Sequence, residues 1–213
     1  MRLVCFDLGG VLVEINHHWK GALLDAGFPL ELAVKFDFPL VELEPFNDYQ
    51  KGRLSLEAYL DVLSEFLAEP DRDRALAAHN AILRTTYPGV PKLIADVQAA
   101  GLATGVLSNT NAPHWEAMFH EPRLAVLKTI SFPIASHLIG AEKPDPAMYR
   151  ALENAAGMSG DQIVYFDDAF GNVEAAKELG WQAFRVDPEG DTAGQMRAKL
   201  VELEGLPPEA IDE

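Results

Sequence analysis

Four apolar residues, Leu3-Val4-Cys5-Phe6, run straight into Asp7, and the glycine pair Gly9-Gly10 follows after a single leucine. An apolar run without alternation predicts a strand buried on both faces, as in a parallel sheet covered by helices. A lone Asp at the carboxyl end of such a strand lies where open α/β sheets place their ligands. The glycines let the backbone turn sharply and let a ligand come close. Asp7 can equally do no more than cap the next turn. The choice depends on whether other strands bring polar groups to the same edge.

Downstream, the pattern changes after Val13-Glu14-Ile15-Asn16. Between about residues 16 and 87 no buried strand is predicted. Leu56, Tyr59, Leu60, Leu63, Phe66 and Leu67 recur at helical spacing behind a candidate N-cap, Ser55. Pro70 separates this helix from a second, whose apolar positions include Leu76, Ile82 and Leu83. Gly27, Pro29 and Pro39 divide the earlier part into short pieces, and the whole reads as a small helical insertion.

The turn cluster Tyr87-Pro88-Gly89-Val90-Pro91 restores the first pattern. A helix is predicted over Lys92 to Ala100, a strand over Ala103 to Leu107, and a third strand within Thr129 to Ser136, where Pro133 counts against the strand. Asp145 caps and Pro146 opens a helix that stops near Gly157. The strand Ile163-Val164-Tyr165-Phe166 runs into Asp167-Asp168, and a helix carrying Val173, Ala176 and Leu179 ends at Gly180. A last strand over Gln182 to Val186 and an amphipathic helix follow, then a frayed tail at Gly205-Leu206-Pro207-Pro208. Strands alternating with helices predict an α/β fold with a doubly wound parallel sheet. Its core would comprise residues 1–15 and 88–213, with the helical insertion at 16–87.

Composition narrows the partners. The chain has 17 Lys and Arg against 33 Asp and Glu, a formal charge of −16, which argues against nucleic acid and anionic membrane surfaces. Cys5, the single cysteine, excludes an intramolecular disulfide framework and fits a reducing compartment. The first residues carry no signal-peptide pattern and no stretch approaches a membrane span, so a cytoplasmic protein is expected.

Asp7, Ser108-Asn109 and Asp167-Asp168 each end a separate predicted strand, and Lys143 lies in the loop after the third. In a parallel sheet all these ends face one way. Two carboxylates about 5 Å apart repel by about 3 kcal/mol at an effective dielectric near 20. Three together raise one another's pKa unless cations hold them ionised. Lys143 supplies one positive charge, and a hard divalent ion such as Mg²⁺ would supply two more. That combination suits phosphoryl transfer, which needs a nucleophile, a metal and donors around the phosphoryl oxygens. Taken singly, Asp167 or Asp168 reads as a helix cap, Ser108-Asn109 as turn chemistry, and Lys143 as a solvated lysine.

In order, these residues resemble the motifs of the haloacid dehalogenase-like hydrolase superfamily, in the branch with a small helical cap after the first motif. Phe6-Asp7-Leu8-Gly9-Gly10-Val11-Leu12 matches the first motif and Leu107-Ser108-Asn109-Thr110-Asn111 the second. Glu142-Lys143-Pro144-Asp145-Pro146 matches the third, and Phe166-Asp167-Asp168 through Asn172-Val173-Glu174-Ala175-Ala176 the fourth. Lys51-Gly52-Arg53-Leu54-Ser55-Leu56-Glu57 resembles a stretch common in such caps. The resemblance implies Asp7 as a nucleophile forming an aspartyl-phosphate and as a metal ligand. It implies Ser108 and the Asn109 backbone as phosphoryl-binding groups and Lys143 as the balancing cation. Asp168 would bind Mg²⁺ directly, Asp167 would bind it or orient its waters, and Gly9 would offer its carbonyl. The cap would close over a small phosphorylated substrate.

One position departs from the pattern. Phosphatases of this superfamily usually carry a second Asp, the general acid and base, where this chain has Gly9; glycine there does recur in the branch, including among sugar-phosphate phosphatases. Glu14, His17 and His18 are the nearby candidates to replace it, each with a plain packing or linker alternative. The leading expectation is a Mg²⁺-dependent phosphatase. A metal-independent haloacid dehalogenase also lacks the second Asp but has no need of the Asp167-Asp168 pair. A catalytically silent binding module is a third reading, against which the other three motifs stand complete.

Overall fold

A computed structural model describes residues 1–208. The apolar run forms β1 (Leu3–Phe6), every residue of it buried. It pairs in parallel with β4 (Ala103–Ser108) on one side and β6 (Ile163–Asp167) on the other. β5 (Phe132–Ala135) and β7 (Gln182–Arg185) complete a five-stranded parallel sheet in the order β5-β4-β1-β6-β7. With β1 central, both of its faces need cover. Val4 and Phe6 face helices α6 (Val90–Ala99), α7 (Ala112–His120) and α11 (Thr192–Glu202). Leu3 and Cys5 face α9 (Pro146–Ala156) and α10 (Phe170–Glu178).

Several boundaries follow their local chemistry. Asp145 accepts a hydrogen bond from the Ala147 N–H at 2.8 Å and opens α9 behind Pro146. The third strand is shorter than the Thr129 to Ser136 window because Val126–Thr129 forms a turn of 3-10 helix first. Pro133 is tolerated there because β5 lies at the edge of the sheet. α6 starts at Val90, two residues earlier than expected, since Pro91 suits a first turn. The expected frayed tail is in part anchored: Leu206 is buried in the core and its N–H donates to the Leu200 carbonyl.

Between β1 and α6 lies the helical segment, α1 (Trp19–Asp25), α2 (Leu30–Ala33), α3 (Glu44–Gln50), α4 (Leu56–Leu67) and α5 (Arg72–Asn80). It has an apolar cluster of its own, built on Trp19, Phe46, Tyr59, Leu63 and Leu67. Ser55 caps α4 as expected, accepting from the Ala58 N–H at 3.2 Å. The second helix differs from its sequence reading. α5 ends at Asn80, so Ile82 and Leu83 are not helical, and the helix buries Ala75, Ala78 and His79. Leu83 instead begins β3 (Leu83–Thr86), antiparallel to β2 (Val13–Ile15). The stretch from 16 to 87 thus holds a strand, though not a buried one. This strand is mostly exposed, so it lacks the apolar run that marks a buried one.

Candidate active site

The parallel register brings the polar strand ends together. Phe6 sits opposite both Val106 and Phe166, so Asp7, Ser108 and Asp167 reach one edge from three adjacent strands. The Asp7 N–H donates to the Phe166 carbonyl at 2.8 Å, extending the β1–β6 ladder to the carboxylate itself. Lys143 comes from the loop before α9, and its position is set by Asn109. The Asn109 side chain accepts from the Lys143 N–H at 2.7 Å and donates to its carbonyl at 3.0 Å.

Lys143 is the electrostatic centre. Its Nζ donates to Asp7 Oδ1 at 2.7 Å and to Asp167 Oδ2 at 2.7 Å, with the Tyr165 hydroxyl at 3.0 Å. Burial disfavours its charge, but Asp167 and Asp7 outweigh that effect and hold the ammonium well above its ordinary pKa. Asp167 is fully buried and its two oxygens are occupied: Lys143, Tyr165, the Ala169 N–H at 2.8 Å and Asn172 Nδ2 at 3.0 and 3.1 Å all donate to it. Tyr165 stays a hydroxyl, because burial first and Asp167 next push its pKa up.

Asp168 lies beside this group with its side chain half-buried, and Gly10 makes room for it. Gly10 has φ of +78°, and a Cβ there would lie 2.9 Å from Asp168 Oδ2. One oxygen each of Asp7, Asp167 and Asp168 lies within 4.8 Å of the others. Burial pushes Asp7 up to about 7; Lys143 opposes this, and Asp167 and Asp168 add to it. Burial also raises Asp168, with Asp167 adding and Lys143 and His17 opposing. Three carboxylates against one ammonium leave a formal −2 when all are ionised, an excess that a divalent cation held by oxygen ligands would cancel.

The carboxyl edge opens into a cavity of about 380 Å³, roofed by the helical segment. Ser108, Asn109, Lys143 and Asp168 line its floor together with Asp7 and Gly9. Of the three residues considered as replacements for an acid at position 9, Glu14 points elsewhere. Alternation along β2 turns Val13 and Ile15 into the cavity and Glu14 to the opposite surface, where Arg84 meets it at 3.5 Å. His17 and His18 both line the cavity, and His18 Nδ1 lies 3.0 Å from Asp37. From the sequence Tyr165 carries no site role, and Asn172 stands only within the fourth motif, with no contact assigned to it. A signal existed for Tyr165, which shares the face of β6 with Asp167 two residues on. The Asn172 contact needs the first turn of α10 folded back onto the strand end, which spacing alone does not reveal.

The fold is an α/β parallel sheet whose carboxyl edge gathers acidic side chains around one lysine. A family model described as haloacid dehalogenase-like hydrolase matches residues 1–180, and the chain belongs to that family. Among curated relatives, a Mycobacterium tuberculosis phosphatase is 29% identical over 203 residues, covering 89% of this chain and 88% of its own. The N-acetylmuramic acid 6-phosphate phosphatase of Pseudomonas aeruginosa is 28% identical, covering 84% and 79%. With such relatives along most of its length, the chain is a phosphatase of that family. In fold it is similar to a Bacteroides thetaiotaomicron enzyme of the same family, solved with magnesium and inorganic phosphate. That likeness has a TM-score of 0.74 at 20% identity, over 92% of this chain and all (100%) of the other.

Proposed function

We propose that this protein is a Mg²⁺-dependent phosphatase of a small phosphorylated metabolite, acting through an aspartyl-phosphate on Asp7. The observation that carries the reading is the trio Asp7, Asp167 and Asp168 within 4.8 Å, with Lys143 bridging two of them and negative charge left over. Asp7 and Asp168, with the Gly9 carbonyl, would hold the ion, which when bound supplies Lewis-acid stabilisation of phosphoryl charge. Asp167 has its oxygens taken by four donors, so it fits the role of orienting Lys143 and the ion's waters better than direct ligation.

In the first step an Asp7 oxygen forms a bond to phosphorus as the bond to the leaving oxygen breaks. The leaving group takes a proton from a water molecule or from solvent and departs as an alcohol. Ser108 and the Asn109 backbone hold the phosphoryl oxygens, and Lys143 keeps Asp7 anionic and balances the incoming dianion. In the second step water attacks the phosphorus, a proton passes to solvent, and phosphate leaves with Asp7 restored. The helical segment, residues 16–87, acts as a cap that excludes bulk water and selects the substrate.

A dehalogenase reading has one supporting observation, the absence of a carboxyl at Gly9. It leaves the Asp167-Asp168 pair and its excess charge without a use. The test is phosphate release from a panel of metabolite phosphates, with Mg²⁺ and with chelator. Mg²⁺-dependent release supports the phosphatase reading. Halide release from a 2-haloacid that persists in chelator, with no phosphate released, contradicts it.

A further inference from the structure

The cavity divides sharply by chemistry. Its floor, described above, is polar. Beyond it the lining is mostly apolar: Ile15, Leu40, Val41, Phe46, Ile82 and Met118, with Thr110 and with His114, whose ring nitrogens are taken by Asn111 and the His79 carbonyl. Among the described residues no Lys or Arg other than Lys143 lines the cavity, and Lys143 is already paired with Asp7 and with the buried Asp167 beneath the floor. The remaining basic groups at the mouth, His17 and His18, sit near carboxylates of their own. His18 faces Asp37, which also takes Lys20 at 2.7 Å, and His17 lies within electrostatic reach of Asp168. Apart from these histidines, Gln50 is the polar residue that the helical segment adds.

A second anionic group on the substrate would therefore be desolvated against aliphatic side chains with no cation to receive it, which is strongly unfavourable. A polyhydroxylated leaving group fares little better, because most of its hydroxyls would lose water without gaining partners. An apolar group buries its surface there and gives up no hydrogen bonds to water. At about 380 Å³ the space also lies near the lower end for small-molecule sites.

We propose that the natural substrate is a phosphate monoester of a small, uncharged, largely apolar alcohol, which rests on the phosphatase reading above. Val41, 62% exposed at the mouth, marks where such a group begins its contact with the wall.

The test uses the whole protein with Mg²⁺ and an activated aryl phosphate as reporter substrate, competed by three non-hydrolysable phosphonates. Benzylphosphonate is apolar, 3-hydroxypropylphosphonate polar and neutral beyond its phosphonate, and phosphonoacetate anionic. Inhibition constants read binding of the non-reacting part without any influence of leaving-group reactivity. Benzylphosphonate is expected to inhibit at least about tenfold more tightly than the other two, the scale of a modest apolar contact in a fitted pocket. Val41→Arg is expected to narrow its lead over phosphonoacetate severalfold. Equal or tighter inhibition by phosphonoacetate or the hydroxypropyl compound overturns the inference while leaving the phosphatase reading intact. So does a Val41→Arg variant with unchanged ratios. No release of phosphate from the reporter removes the phosphatase reading itself, and this inference with it.

Discussion

At position 9 a Cβ would meet Ile15 Cδ1 at 2.9 Å, the far end of a flexible side chain, and the backbone there is not left-handed. Gly9→Asp is therefore sterically admissible if Ile15 turns aside, and Gly9→Asp with Ile15→Val should fit with less disturbance. A positioned general acid contributes about 10²–10⁴-fold. Wild type should show a steep fall of log rate with leaving-group pKa, and the double variant a shallower one, gaining most on alkyl phosphates. Parallel slopes would mean that another group, with His17 the first to mutate, already supplies the proton. The two adjacent aspartates should separate cleanly. Asp168→Ala should weaken Mg²⁺ binding in a calorimetric titration with little change in the urea midpoint. Asp167→Ala strips Lys143 of a buried partner and should cost about 3–5 kcal/mol of stability. Equal stability losses in the two variants would contradict this division of roles.

Elements differ in how plainly the sequence announces them. β1, β4 and β6 are buried on both faces, so their apolar runs identify them, and the parallel arrangement then predicts which polar ends meet. β3 escapes because only Leu83 is buried, and Leu83 at helical spacing from Leu76 imitates one more turn of α5. The link between α5 and α7 was also invisible, since it joins residues far apart in the chain. His79 Nε2 donates to Asn111 Oδ1 at 3.1 Å, its Nδ1 accepts from the Tyr59 hydroxyl at 3.0 Å, and His114 Nε2 donates to the His79 carbonyl at 3.0 Å. The two imidazoles stack at 4.2 Å. Burial lowers the pKa of His79 well below its ordinary value, with His114 adding and Asn111 opposing; burial lowers His114 to about 4. Both are neutral when folded and gain protons more readily when unfolded. Stability should thus be lost as pH falls below about 6.5 toward 4, by up to about 1.4 kcal/mol per pH unit for each histidine. Asp7, whose pKa is raised, acts with the opposite sign below about 7. The difference between wild type and His114→Gln, both in chelator, isolates the histidine. Urea midpoints at pH 7.5 and 5.5 should fall further for wild type than for the variant; equal falls would contradict the assignment.

Across the whole molecule, the sheet delivers the reactive groups and the helical segment closes over them. Ser136 Oγ donates to the Gln50 carbonyl at 2.6 Å, and Lys51 pairs with Glu142, the neighbour of Lys143, at 2.6 Å. The segment is thereby fastened to the loop that carries Lys143, in addition to the His79–Asn111 link. No helix among the described residues is long and apolar enough to cross a membrane. That Asp7, Lys143 and the Asp167-Asp168 pair meet at one edge was legible from the sequence, because each sits at a strand end or in the loop after one. The character of the roof was not, because Ile82 reads as an ordinary helix-packing residue until the segment is folded over the edge. The central claim is that Asp7 carries the phosphoryl group, and rapid acid quenching followed by peptide mass spectrometry tests it most directly. During turnover with Mg²⁺, the peptide containing Asp7 should gain one phosphoryl group that hydroxylamine removes, and Asp7→Asn should show neither the adduct nor turnover. Full turnover by Asp7→Asn, or a phosphoryl group found on any other residue, would contradict the account.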